Sequence, residues 1–218
     1  MGTIQELIHS SWLATTAFVY NGEFDKDFAY QLGKAFSTYL SKRLNKTDLT
    51  VTIGHDARLS CPEINASLTR GFLESGVNVK QLGLVTTPVC YFSTFEVPGV
   101  DGAVQITGSH NPPEYNGFKI SFGKSTIFGE EIQKLRHIIE ANDFIKGSGS
   151  ESTYDIFPQY YARYKKEFGN IKPVKVILDC GNGSGGSVVR GLFNAVGLDP
   201  VILFEKPDGT FPNHHPDP

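Results

Sequence analysis

Cysteine is scarce in this chain: three among 218 residues, Cys61, Cys90 and Cys180, far apart and without a metal-type spacing. That excludes a disulfide framework and a zinc site, and it suits a reducing compartment, the cytoplasm being the expected one. Long apolar runs are lacking too. The one near the N-terminus, residues 12–20, is broken by Thr15 and Thr16 and has no Lys or Arg ahead of it, so neither a signal peptide nor a membrane span is expected. Nor is there an excess of positive charge. Twenty Lys and Arg against 23 Asp and Glu give a net charge of −3, which offers no electrostatic case for nucleic acid or an anionic membrane. Small molecules are the expected partners.

What is present suits a folded protein. Apolar residues at 39% and charged residues at 20% exclude a disordered or collagen-like chain and allow a sizeable core. The length exceeds one typical domain and falls short of two large ones, and no internal repeat is evident.

The patterning predicts alternating strands and helices. Phe28, Leu32, Ala35, Phe36, Tyr39 and Leu40 fall on one face of a helix over 25–44, followed by a strand over 49–53. Ser60, Pro62 and Glu63 have the spacing of a capping box opening a helix that Gly76 ends. A strand over 77–82, a short helix over 88–95, a strand over 104–106 and a helix over 129–141 follow. The expected fold is α/β, a layered sheet, mainly parallel and mixed where residues 118–121 return, with flanking helices. Residues 147–153, small and polar, read as a linker between a first domain over 1–146 and a partial second α/β domain over 154–218. In that second part a helix over 154–168, a buried-type strand over 174–179, a helix over 186–196 and a strand over 201–204 are expected.

The stretch around which the rest is organised is 104–121. Two short apolar runs flank Gly108, Ser109, His110, Asn111, Pro112, Pro113 and Gly117, which predicts strand, stiff loop, strand. Glycine lets the backbone approach a ligand closely, and the two prolines restrict the loop, so Ser109 is presented with little freedom left to lose. A serine hydroxyl needs a proton acceptor and a neutralising charge, and His110 and Lys119 are placed to supply them. From the loop alone, a catalytic serine and a plain structural turn stay equally open. Upstream, Asp56 and Arg58 follow a strand end, where ligands bind in open α/β sheets. Arg58 offers planar donors that suit phosphate, the bland alternative being a surface turn.

A rival motif lies at 181–186, Gly-Asn-Gly-Ser-Gly-Gly, between a strand and a helix, with Glu205 ending the next strand. That pattern fits a dinucleotide site, glycines such as Gly183 beneath the pyrophosphate and the acid on the ribose, and makes an NAD-dependent oxidoreductase the alternative. The same glycines could equally be scaffold. Adjacent His214 and His215 in an extended tail point opposite ways and do not suit one metal ion.

Residues 107–119, Thr-Gly-Ser-His-Asn-Pro-Pro-Glu-Tyr-Asn-Gly-Phe-Lys, resemble the phosphoserine loop of the α-D-phosphohexomutase family, most closely its bacterial phosphomannomutase/phosphoglucomutase members. Residues 179–183 and 207–218 are similar to segments of that family's second domain, and 54–60 to its Gly-x-Asp-x-Arg-x-Ser segment. The resemblance implies an intramolecular phosphotransferase that moves a phosphoryl group between C1 and C6 of a hexose phosphate. Ser109 would carry the phosphoryl group, His110 and Lys119 would stand by the reacting groups, and Arg58, Asn111 and Gly108 would contact phosphate. It also implies Mg²⁺ touching the phosphate on Ser109, its main aspartate ligands outside this chain, glucose 1,6-bisphosphate as activator, a hexose monophosphate as substrate and the remainder of a four-domain enzyme as partner. The family's Tyr-Asp-Ile-Arg-Gly segment is replaced at 14–18 by Ala-Thr-Thr-Ala-Phe. The chain also stops before the family's aspartate-rich metal loop, so low activity and some uncovered apolar surface are expected of these 218 residues alone. A non-catalytic sugar-phosphate binder is a third possibility. Sugar identity and oligomeric state are not written in the sequence.

Overall fold

The computed structural model describes residues 17–216. Seven strands, β1 (Ala17–Val19), β2 (Leu49–His55), β3 (Val77–Leu84), β4 (Gly102–Ile106), β5 (Tyr115–Phe122), β6 (Ser125–Thr126) and β7 (Glu151–Thr153), form one sheet. Its order is β1-β5-β4-β2-β3-β7, with β6 on β5. Helix α1 (Lys26–Leu44) precedes β2, and α2 (Cys61–Glu74) and α3 (Thr87–Glu96) are the crossovers that let β2, β3 and β4 run parallel. The return from β4 to β5 is a loop rather than a helix, so that pair is antiparallel and the sheet mixed, as expected. Helix α4 (Glu130–Glu140) follows β6.

Alternation along the strands makes two cores. Val51, Ile53, Val104, Ile106 and Ile120 pack with Phe36, Leu40, Ile64, Leu68 and Phe72 of α1 and α2. On the other side Leu82, Val85 and Ala103 meet Val89 and Cys90 of α3, Tyr160 of helix α5 (Phe157–Phe168) and Val188. The second core therefore already includes residues of the C-terminal part.

That part holds α5, strands β8 (Ile177–Asp179) and β9 (Val201–Leu203), and helix α6 (Val189–Ala195) after a 3₁₀ turn over Ser184–Ser187. The two strands pair in parallel as a separate sheet. The expectation of a buried strand here is corrected: Ile177 is 71% exposed and Val201 59%, because nothing among the described residues covers that face.

Two further expectations change. Ser60 is not a side-chain N-cap; its backbone is already helical, and its Oγ accepts from Asn116 Nδ2 at 2.9 Å. Its supposed partner Glu63 accepts instead from Tyr20 Oη at 2.8 Å, 3.5 Å from Lys26 Nζ. Residues 147–153, expected as a linker, lie along the first sheet: the Gly147 and Gly149 amides donate to Glu74 O and Leu73 O, and β7 extends the edge at β3. Glycine supplies the fit, since the Gly149 backbone runs directly against that of Val77. Of the variant segment 14–18, Ala14, Thr15 and Thr16 lie outside the described residues, as does Asp217; Ala17 and Phe18 sit in β1 against β5. Among the described residues no helix is long and apolar enough to cross a membrane.

Candidate active site

Because α3 carries the chain from β3 back across to the far side of β2, the carboxyl ends of β2 and β4 emerge side by side, His55 opposite Ile106. Ligands in open α/β sheets bind beyond such ends. β2 delivers Asp56 and Arg58 there, and β4 delivers Thr107, Gly108 and Ser109.

Asp56 is 8% exposed and is the hub. Its Oδ1 accepts from the Arg58 amide at 3.0 Å and the Cys61 thiol at 3.2 Å. Its Oδ2 accepts from Arg58 Nε at 3.1 Å, Thr107 Oγ1 at 2.7 Å and the Gly108 amide at 3.3 Å. Burial, and then the neighbouring Asp56 carboxylate, hold the Cys61 thiol well above its ordinary range, so it stays a protonated donor.

Arg58 departs furthest from expectation. It is 1% exposed, and its remaining donors go to carbonyls of the serine loop: Nη1 to Pro112 O and, at 3.0 Å, to Tyr115 O, Nη2 to Ser109 O at 3.1 Å and Asn111 O at 2.7 Å. A guanidinium has five N–H groups, and all five are committed. None is left for a phosphate. The other residues expected to contact phosphate also turn inward: one N–H of the Asn111 side-chain amide goes to Gly108 O at 2.9 Å, and the Gly108 amide goes to Asp56. Gly108 is glycine because a Cβ would strike the Arg58 guanidinium and stand 2.6 Å from Tyr115 O. The close approach is to the protein's own arginine.

Against that self-satisfied frame Ser109 stands out. It is exposed and holds φ +56°, a left-handed backbone uncommon for any residue but glycine, asparagine or aspartate. Its amide donates to Thr107 Oγ1 at 2.9 Å and its carbonyl accepts from Arg58. Its hydroxyl has no partner among the described residues. His110 is exposed beside it. Lys119 lies opposite Gln105 in the β4–β5 ladder, on the sheet face that leads to Thr107. Burial lowers its ammonium pKa, the Asp56 charge opposing, and the side chain has no hydrogen-bond partner among the described residues. Of the two candidate cations, Arg58 is spent and Lys119 is free.

Ser109, Asp56, Ala57 and Thr107 line one wall of a cleft of about 320 Å³; Asp179, the turn from Gly181 to Gly185, Phe211 and His214 line the other. His110 and Lys119 are not part of that lining. The glycine-rich turn lacks what a dinucleotide needs. It opens into a 3₁₀ turn, regular helix begins only at Val189, and Glu205 is held by Arg190 at 2.5 and 2.7 Å instead of standing free for a ribose. Asn182, at φ +57°, ties this turn to the following loop through Lys206 O, at 2.9 Å, and Asn213 Nδ2, at 2.6 Å. His214 is on Asp179, Nε2 to Oδ1 at 3.2 Å, which leaves it a paired surface imidazole. Asp56 as hub, Thr107 and Phe211 were not singled out from the sequence; only the strand-end position of Asp56 pointed to it.

Comparison with known proteins gives the family. The model of phosphoglucomutase/phosphomannomutase alpha/beta/alpha domain I matches residues 17–146, and that of domain II matches residues 158–218. The chain is 43% identical over 190 residues to a phosphomannomutase/phosphoglucomutase of Pseudomonas aeruginosa, covering 87% of this chain and 40% of that one. With a phosphoglucomutase of Neisseria meningitidis it shares 41% over 194 residues, 88% of this chain and 41% of the relative. The crystal structure of a phosphoglucomutase/phosphomannomutase family protein from Burkholderia thailandensis superposes with TM-score 0.86 at 38% identity, over 95% of this chain and 46% of that chain. The chain thus spans about two fifths of the length of these curated relatives. With both domain models matched in order and the serine loop built as described, the chain belongs to the phosphoglucomutase/phosphomannomutase family.

Proposed function

We propose that this chain is the phosphoryl-carrying portion of a phosphohexomutase, with Ser109 as the carrier. One observation carries the reading: on a loop whose backbone is tied down by Arg58, Asp56 and Asn111, the Ser109 hydroxyl lines a cleft with no hydrogen-bond partner among the described residues. In the forward half-reaction the phosphoryl group leaves the Ser109 oxygen for a hydroxyl of a hexose monophosphate. The P–O bond to serine breaks, a P–O bond to the sugar forms, and the sugar's proton passes to a base while serine regains one. His110 is our candidate for proton transfer. Lys119, a half-buried ammonium with no hydrogen-bond partner among the described residues, is our candidate for neutralising the equatorial oxygens, where positioning and charge supply most of the catalysis. Arg58 serves the reaction by shaping the loop.

Magnesium, implied by the family likeness, would neutralise phosphoryl oxygens. Among the described residues no three His, Cys, Asp or Glu side chains stand together to hold an ion, so these residues do not make up a metal site by themselves. The bisphosphorylated sugar as phosphoryl donor and a cytoplasmic setting belong to the same proposal. The test is intact mass after incubation with glucose 1,6-bisphosphate. Wild type should gain one phosphoryl group and Ser109→Ala none; no gain on wild type, or an equal gain on both, overturns it.

A further inference from the structure

The five N–H donors of the Arg58 guanidinium are taken by the serine loop and Asp56, but these are not its only contacts. Arg58 Cζ also lies over the ring of Phe211, a residue of the C-terminal part, 5.5 Å from the ring centroid. We infer that Phe211 is a positioning residue for Ser109: by seating its ring over Arg58 it seals the brace that holds the serine loop, and so ties the loop's order to the second unit.

Three observations support this. First, the segment carrying Phe211 is pressed onto the turn that carries Arg58. Gly209 is buried, and a Cβ on it would lie 2.9 Å from Leu59 N and 3.0 Å from Arg58 Cα, so only glycine permits the contact. Second, Phe211 holds φ +48°. A left-handed backbone is costly for a bulky side chain and free for glycine, so the turn does not call for phenylalanine and the ring must be what is wanted. Third, the segment is itself anchored. Phe211 N donates to Asp208 O at 3.0 Å, Asp208 N to Asn182 O at 2.8 Å, and Thr210 caps Asp208 Oδ1 through its amide at 2.9 Å and its hydroxyl at 2.7 Å. A continuous path of bonded groups therefore runs from the glycine-rich turn through Phe211 and Arg58 to the backbone of residues 109–115. An aromatic face within about 6 Å of a guanidinium attracts it, more strongly where water is excluded.

The purpose of this brace rests on the phosphoryl-carrier reading; its existence does not. The test is amide hydrogen exchange of the 218-residue chain, followed in peptides covering 107–117. The Asn111 and Tyr115 amides, which donate to Gly108 O and Pro112 O, are the reporters. Phe211→Leu keeps apolar bulk and removes the π face; it should speed their exchange about tenfold while β2 and β3 stay protected. Phe211→Tyr should leave them as in wild type. Gly209→Val, which drives the segment off the Arg58 turn, should act like Phe211→Leu. Unchanged loop exchange in Phe211→Leu and Gly209→Val, equal effects of Leu and Tyr, or loss of protection spread evenly over β2 and β3 would each overturn the inference. Loop exchange that responds as expected in a chain whose Ser109 accepts no phosphate would sink the carrier reading and leave the brace standing.

Discussion

Thr107 donates a 2.7 Å hydrogen bond to Asp56 and, with the same oxygen, accepts one of 2.9 Å from the amide of Ser109. A single hydroxyl so connects the end of β4 to the end of β2 and fixes the left-handed turn at the candidate nucleophile. Thr107→Val keeps the shape and removes both bonds, leaving buried groups unpaired. We expect a loss of about 1–3 kcal/mol in urea unfolding, and slower phosphoryl uptake at Ser109. Thr107→Ser should recover most of both; a valine variant as stable as wild type would contradict the assignment.

Arg58 and Asp56 are a buried pair, with side chains 0% and 11% exposed. Removing one partner strands the other's charge and, here, four loop carbonyls. Arg58→Met should cost about 3–5 kcal/mol by denaturant titration. Because the stranded carboxylate causes part of that cost, adding Asp56→Asn should destabilise by less than the sum of the two single changes. Strict additivity would show that the pair is not coupled.

Lys119 makes a contrary prediction, since burial of its charge opposes folding. Its folded pKa is lowered from the ordinary 10.5, so the unfolded chain binds the proton more tightly, and the penalty is present at neutral pH. It fades as pH rises from the lowered value toward the ordinary one. Lys119→Met should therefore raise the urea midpoint near pH 7 and raise it less near pH 10, while phosphoryl uptake falls about a hundredfold or more. A variant both less stable and fully reactive would remove Lys119 from the site.

The Asp179–His214 pair faces the same cleft and gives a pH signature. The Gly181 amide, then His214, lowers the Asp179 pKa; the His215 carbonyl, then Asp179, raises that of His214 above 6.5. The aspartate's contribution is lost as pH falls through its lowered value, and the histidine's as pH rises through its raised one. The pair is therefore fully formed between roughly pH 4 and pH 6.5. Proton NMR of His214 should show a midpoint above the ordinary imidazole value that drops in Asp179→Asn without returning fully, because the backbone bond remains. No change in that variant would break the pairing.

Periodicity and punctuation made most of the first sheet and its helices legible, because apolar spacing and Gly or Pro act within a few residues. What escaped depends on partners distant in sequence. Gly-x-Asp-x-Arg marked Arg58 as important, but only the fold brings Pro112 and Tyr115 to its donors, turning an expected phosphate ligand into a brace. Gly108 and Asn111 were read outward for the same reason. The polar run 147–153 carried no apolar face and looked like a linker, yet β3 needed an edge partner and backbone bonds ask little of side chains. Phe211 sat in a loop without periodicity, and nothing local signalled that its ring covers an arginine in another part of the chain.

The central claim is that phosphate resides on the oxygen of residue 109, and peptide fragmentation mass spectrometry of the sugar-bisphosphate-treated chain tests it most directly. We predict an acid-stable phosphate located by fragment ions on Ser109 and on no other hydroxyl of the loop. An acid-labile phosphate on His110, or phosphate on another residue with Ser109 unmodified, would contradict the account.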